Sequence, residues 1–169
     1  MYNGDCMEKL KAVFDAGPFI HLSEVRQLDL FSLFHRILTT HEVAEELKGL
    51  KLPEQALLTD LEPKSKDFAK YVMEKYNLDL GEATSIALCR QEQVKLFFTD
   101  DMDARETSHA LGFEAHGTLA IVLRAMKEKI LSKKGTIEAV EALYKKSSLF
   151  LTKDLVDWIM KEIEEFEKI

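Results

Sequence analysis

The sequence predicts an α/β fold, a three-layer α/β/α sandwich around a central, mainly parallel sheet. Two observations carry that expectation. Short apolar runs of strand length stand at residues 10–14, 37–39, 94–98 and 113–116. Between them lie longer segments with apolar residues at helical spacing, and strands separated by helices pair in parallel through right-handed crossovers.

Each element has a local reason. Leu10 to Phe14 is an apolar run that ends at Asp15, with Gly17-Pro18 as a stop signal, so it reads as a buried strand. Ser23 is a candidate cap for a helix over 23–35, whose stripe is Val25, Leu28, Phe31, Leu33 and Phe34. After the short strand 37–39, Thr39 and Glu42 form a Thr-x-x-Glu capping pattern for a helix running to Gly49. Residues 57–59 read as a short strand or an extended connection, and 64–76 as a helix. Asp79-Leu80-Gly81-Glu82 opens another helix, to about Gln91. Val94 to Phe98 is the clearest strand and runs into Thr99-Asp100-Asp101. The next helix, 104–111, stops at Gly112, where glycine suits a C-terminal cap. A last strand at 113–116 precedes helices over 118–131, 136–146 and 152–166.

A chain of 169 residues fits one domain, here expected to span 1–169 with a core of about 11–131 and a helical appendage at 132–169. Cys6 and Cys89 stand far apart in no metal-ligand spacing, which argues for a reducing compartment. The first residues lack the apolar stretch of a signal peptide, and no apolar run has the length of a membrane span. A cytoplasmic location follows as the expectation. The net charge of −7 argues against a constitutive nucleic-acid coat, yet leaves room for a nucleic-acid enzyme whose acidic cluster binds cations.

The chemistry lies in carboxylates. In an open parallel sheet, ligands bind beyond the carboxyl ends of the strands. Asp15 follows the first strand, and Asp100 and Asp101 follow the clearest one. On the 41–49 helix, at about 100° per residue, Glu46 lies roughly 70° from the face marked by Val43, Leu47 and Leu50, while Glu45 points almost directly away. Glu46 is therefore the one expected at the crevice. Glu82 falls on the same side as Ala83 and Ile86. Brought together, these groups repel one another, and some would protonate. A hard divalent cation removes the conflict, and an all-oxygen donor set selects Mg²⁺ or Mn²⁺ over zinc. Such a site activates water and stabilises charge developing on a phosphoryl group. Each residue also has an ordinary explanation. Asp15 suits a strand-end turn, Glu82 completes an Asp-x-x-Glu capping box with Asp79, and one of Asp100, Asp101 or Asp103 suits a helix cap.

Val-Phe-Asp-Ala-Gly-Pro-Phe-Ile-His-Leu, Val-Ala-Glu-Glu-Leu, Leu-Gly-Glu-Ala-Thr-Ser-Ile-Ala-Leu and Phe-Thr-Asp-Asp-Met-Asp-Ala-Arg follow in this order. Together they resemble the motifs of PIN-domain nucleases, over roughly residues 11–131. The segment Leu-Gly-Phe-Glu-Ala-His-Gly-Thr-Leu is similar to one prokaryotic branch of that family. The resemblance implies a metal-dependent endoribonuclease acting on RNA, often the toxin of a toxin–antitoxin pair, and usually a homodimer. It maps the acidic quartet onto Asp15, Glu46, Glu82 and Asp101, with Asp100 a further candidate metal ligand. Thr99 and Arg105 match positions that orient a phosphate or hold the loop. The segment before Lys11 is an addition to the pattern.

Other readings compete. A non-catalytic PIN-like scaffold for protein or RNA would keep the fold without the chemistry. A haloacid-dehalogenase-like phosphatase would need an Asp where Gly17 stands, and a receiver domain would need a lysine after a late strand. His21, His35, His41, His109 and His116 show no zinc spacing. The last helix carries Leu155, Ile159, Ile163 and Phe166 at helical spacing, for packing on its own domain or for a dimer or antitoxin contact.

Overall fold

The computed structural model describes residues 10–166, so Cys6 and the segment before Leu10 lie outside the described residues. Five strands form one all-parallel sheet in the order β3-β2-β1-β4-β5. They are β1 (Leu10–Phe14), β2 (Phe34–Thr39), β3 (Ala56–Leu58), β4 (Leu96–Phe98) and β5 (Glu114–His116). The helices are α1 (Ala16–Glu24), α2 (His41–Glu46), α3 (Pro63–Tyr76), α4 (Leu80–Gln91), α5 (Met102–Ala110), α6 (Thr118–Lys127), α7 (Lys133–Lys146) and α8 (Lys153–Glu165). The order reverses at β1/β4, since the chain first builds outward through β2 and β3 and then returns to add β4 and β5. A crevice at such a switch point is where open parallel sheets bind ligands.

The sheet is buried on both faces because its strands alternate. Ala12, Phe14, Ile37 and Phe98 point into a layer made by α1, α6, α7 and α8, while Val13, Leu38 and Phe97 point into a layer made chiefly by α3 and α4. Phe14 is the hub of the first layer. Its ring centroid lies 5.0 Å from those of Phe34 and Phe98, 5.3 Å from Phe19 and 5.9 Å from Phe31. A fully buried Phe stabilises by about 1.5–3 kcal/mol, and ring pairs add about 0.5–1.5 kcal/mol. The residue after this hub, Asp15, is thus held on one of the most firmly anchored points of the chain. Ala139, Val140, Leu143, Val156, Ile159 and Ile163 of α7 and α8 join the same apolar cluster as Phe14. Leu155 and Phe166 of the C-terminal stripe stay exposed. Cys89 is buried and free, and burial pushes its thiol well above the ordinary range.

The local expectations fail where punctuation was read in the wrong direction. Gly17-Pro18 does not stop a strand; it lies inside the first turn of α1, and the expected helix over 23–35 is absent. Proline is tolerated there because first-turn amides have no intrahelical partner to lose. A 3₁₀ helix, Leu28–Leu33, occupies the later part of that stretch. The cap of α2 is Thr40, whose hydroxyl accepts from Val43 N at 3.3 Å, and not Thr39. Thr39 ends β2 and donates to the Phe14 carbonyl at 3.0 Å. The helix ends at Glu46, and the chain then turns through Lys48 and Gly49 at positive φ.

Candidate active site

The carboxyl ends of β1, β4 and β5 are stitched together directly under the candidate site. Asp15 N donates to the Phe98 carbonyl at 3.0 Å, and Thr99 N donates to the His116 carbonyl at 2.9 Å. Thr99 is fully buried, and its hydroxyl donates to Asp15 Oδ2 at 2.9 Å while accepting from Asp101 N at 3.3 Å. One threonine therefore orients the carboxylate of β1 and the loop that carries Asp101.

Glu46 and Glu82 come from α2 and α4, which are locked to each other. The cap hydroxyl of Thr40 lies 3.1 Å from that of Thr84, and Thr84 in turn donates to the Gly81 carbonyl at 3.1 Å. Glu46 sits so close to Gly81 that a Cβ at position 81 would run into Glu46 Oε1. The capping box expected at Asp79 is present: Glu82 N donates to Asp79 Oδ1 at 2.8 Å, and Asp79 N donates to Glu82 Oε2 at 2.9 Å. That ordinary role does not remove Glu82 from the site, because the box fixes its carboxylate within the field of the other acids.

These acids act on one another. Burial, opposed by hydrogen bonds from the Ala16 amide and Thr99 and reinforced by the charges of Asp79 and Asp100, pushes Asp15 up to about 6. Partial burial and then the charges of Asp15 and Asp79 push Glu46 up to about 7, although the residue as a whole is exposed. Glu82 also rises to about 7, through burial and then the charges of Asp79, Asp101 and Asp15, against the Asp79 amide bond. The neighbouring charges behind all three shifts are carboxylates, the signature of a site short of positive charge. Asp79 belongs to this field and was missed as a site residue; its place three residues before Glu82, at the same helix start, is the signal that could have found it.

Asp100 is different. Its Oδ1 accepts from Thr118 N at 2.7 Å, and its Oδ2 accepts from the Thr118 hydroxyl at 2.6 Å and lies 2.7 Å from His21 Nδ1. Burial works to raise it, but the bonds from His21 and Thr118 outweigh burial and hold the carboxyl below its usual range. An ionised carboxylate only accepts, so His21 Nδ1 carries the proton of that bond. His21, set aside for want of zinc spacing, is a hydrogen-bond partner of the site and not a member of a histidine ligand set. The Asp101 carboxylate caps α5 by accepting from Ala104 N at 2.8 Å and is otherwise at the surface.

Asp15, Asp101, His21 and Arg105 line a cleft of about 880 Å³. The segment before α8 supplies its apolar wall, while Glu46 and Glu82 lie outside its lining, on the α2–α4 side of Asp15. Among the described residues no three His, Cys, Asp or Glu side chains are grouped closely enough to hold a metal ion as they stand. The donor chemistry nonetheless fits a hard cation: oxygen donors only, three of them pushed up by burial and by neighbouring carboxylates.

The PIN-domain family model DUF3368 matches residues 11–165, and the chain belongs to the PIN-domain family. PIN domains are generally nucleases that use divalent metals. No curated protein and no solved structure matches the chain. Among the described residues no helix is long and apolar enough to cross a membrane.

Proposed function

We propose that this chain is a divalent-metal-dependent endoribonuclease whose Mg²⁺ or Mn²⁺ is held by Asp15, Glu46, Glu82 and Asp101. The observation that carries the reading is the set of carboxylates raised by burial and by neighbouring carboxylates at the β1/β4 switch point. When bound, the ion would supply an activated water and a counter-charge for the phosphoryl oxygens. The chain's own groups do the rest. Thr99 keeps Asp15 turned into the cleft, and the Asp79 capping box keeps Glu82 in place. Asp100 works as a positioning residue that fixes His21 and the start of α6, while Arg105 meets the phosphate. RNA as substrate, a cytoplasmic location, an antitoxin partner and a homodimer are carried by the family resemblance and belong to the same proposal.

Labelled single-stranded RNA tests it, incubated with Mn²⁺, Mg²⁺ or EDTA and the wild type, Asp15→Asn or Asp101→Asn. Metal-dependent cleavage lost in both variants is the expected result. Cleavage persisting in both would place the activity elsewhere. Absence of cleavage by every form, with no Mn²⁺ binding by calorimetry, would leave a non-catalytic scaffold.

A further inference from the structure

A net charge of −7 works against holding RNA mainly by attraction to phosphates. If the chain is a ribonuclease, contacts that do not depend on charge would add to its affinity. The cleft holds a candidate. Between α7 and α8 the chain alternates: Leu149 and Leu151 pack against the core, and Phe150 between them is 86% exposed in the cleft that Asp15 and Arg105 also line. Met102, 66% exposed, and Leu155, 39% exposed, line the same cleft.

The segment presenting Phe150 is fastened at both ends. Ser148 N and Oγ each donate to the Glu24 carboxylate at 2.8 Å. The Ser147 hydroxyl donates to the Leu143 carbonyl at 2.6 Å and accepts from Leu149 N at 3.2 Å. Beyond Phe150, Thr152 caps α8 by accepting from Leu155 N at 3.3 Å. An aromatic ring on a segment already ordered loses little further freedom when something stacks on it.

We infer that Phe150, flanked by Met102 and Leu155, is the stacking surface for one unpaired base of the RNA strand whose phosphate meets Arg105. The inference rests on the nuclease reading and adds the substrate contact that reading lacks. A flat apolar group joined to an anionic backbone matches a cleft that offers an exposed ring, an arginine and cation-seeking carboxylates together. An apolar peptide would match only the first of these. Stacking on an aromatic side chain tolerates any base, so this contact selects single strands over duplexes and not one sequence over another.

Fluorescence anisotropy of a labelled single-stranded RNA with Mg²⁺, using the full chain carrying Asp15→Asn to block cleavage, tests this. Adding Phe150→Ala should weaken binding roughly 5- to 150-fold, the usual range for one lost base stack. Phe150→Trp should restore most of it. In a scan of single abasic residues, one position should reproduce the loss with Phe150 present and add little once it is Ala. Equal affinity of the Phe150→Ala protein and its parent overturns the inference while leaving the nuclease reading to its cleavage assay. So does a loss that no abasic position reproduces. Loss of self-association with unchanged RNA affinity would assign the ring to a protein contact and overturn it as well. If the active chain cleaves no RNA and the parent binds none, both readings fall together, and the cleavage assay shows that the first is the cause. Phe150→Ala removes an exposed side chain, and an unchanged thermal melt verifies that the fold is intact.

Discussion

Asp15 and Asp100 stand just beyond the ends of neighbouring parallel strands, in one cleft, and shift in opposite directions. The difference is hydrogen bonding. Asp15 receives two donors, the Ala16 amide and the Thr99 hydroxyl, and burial wins. Asp100 receives the Thr118 amide, the Thr118 hydroxyl and His21, and the bonds win. A buried carboxylate satisfied within the chain is structural support, while one left short of compensation is poised for a partner from outside. The same residue type at equivalent strand ends thus divides into two states, one compensated by its hydrogen bonds and one in which burial prevails.

The largest expected effect tests that division through activity. Asp15→Asn should lower RNA cleavage by at least about 10²–10³-fold, the scale for losing a group that stabilises the reacting charge. Asp100→Asn should lower it by about 10–100-fold, as expected for a group acting through its neighbours. Equal losses under single-turnover conditions would break the comparison.

Stability against pH should also run in opposite directions at the two sites. The folded-state pKa of Asp15 is raised, so its contribution is fully present below the unfolded value and is lost as pH rises through about 6. Metal-free Asp15→Asn protein should therefore be more stable than the wild type at pH 8, by at most about 3 kcal/mol, and gain nothing at acid pH. Mn²⁺ should raise the wild-type melting temperature more at pH 8 than at pH 5.5, since the ion competes with those protons. The Asp100 value is lowered, so its contribution is present above the unfolded pKa and lost only as pH falls through the lower one. Asp100→Asn should cost stability throughout the neutral range, by about 1–3 kcal/mol. Urea denaturation in EDTA at both pH values checks both signs.

What the sequence made legible follows the same line. The layered parallel fold could be read, because alternation in Ala12-Val13-Phe14 and the long helical stripes are local signals that tertiary packing reinforces. The opening of α1 could not, since Gly17-Pro18 punctuates a helix start as well as a strand end. Asp15, Glu46, Glu82, Asp100, Asp101, Thr99 and Arg105 could be named as candidates, but not how Asp100 differs from its neighbours. That difference depends on His21 and Thr118, which are 79 and 18 residues away in sequence. Glu82 shows why competing explanations need not exclude each other: one carboxylate caps a helix and stands in the acidic field at once. Phe150 had a signal, the Leu-Phe-Leu alternation before the Thr152 cap, but alternation alone does not say that a cleft lies beyond it.

Two glycines sharpen the comparison at a smaller scale. A methyl at Gly81 meets the end of the flexible Glu46 side chain, which can swing aside, and alanine suits a helix by about 0.5–1 kcal/mol over glycine. Gly81→Ala should leave stability near or above wild type while weakening Mn²⁺ binding through the displaced Glu46. A methyl at Gly117 would lie 2.8 Å from Asp100 Oδ1, an atom already fixed by the Thr118 amide. It has nowhere to yield, so Gly117→Ala should cost about 1–3 kcal/mol. Thermal melts paired with calorimetry separate the two outcomes.

The smallest expected effect is at Glu45, and its smallness is informative. Glu45 and Glu46 are adjacent at the end of α2, and one step of about 100° divides them. Both are exposed, but Glu46 lies against Gly81 of α4 and is raised by partial burial and by the charges of Asp15 and Asp79. Glu45→Gln should therefore stay within about 0.5 kcal/mol of wild-type stability and leave Mn²⁺ affinity and cleavage unchanged. Glu46→Gln should weaken both. Because the two substitutions remove the same charge from the same helix end, a long-range electrostatic role would make them equivalent. Only a contact made by one carboxylate and denied to its neighbour gives different results.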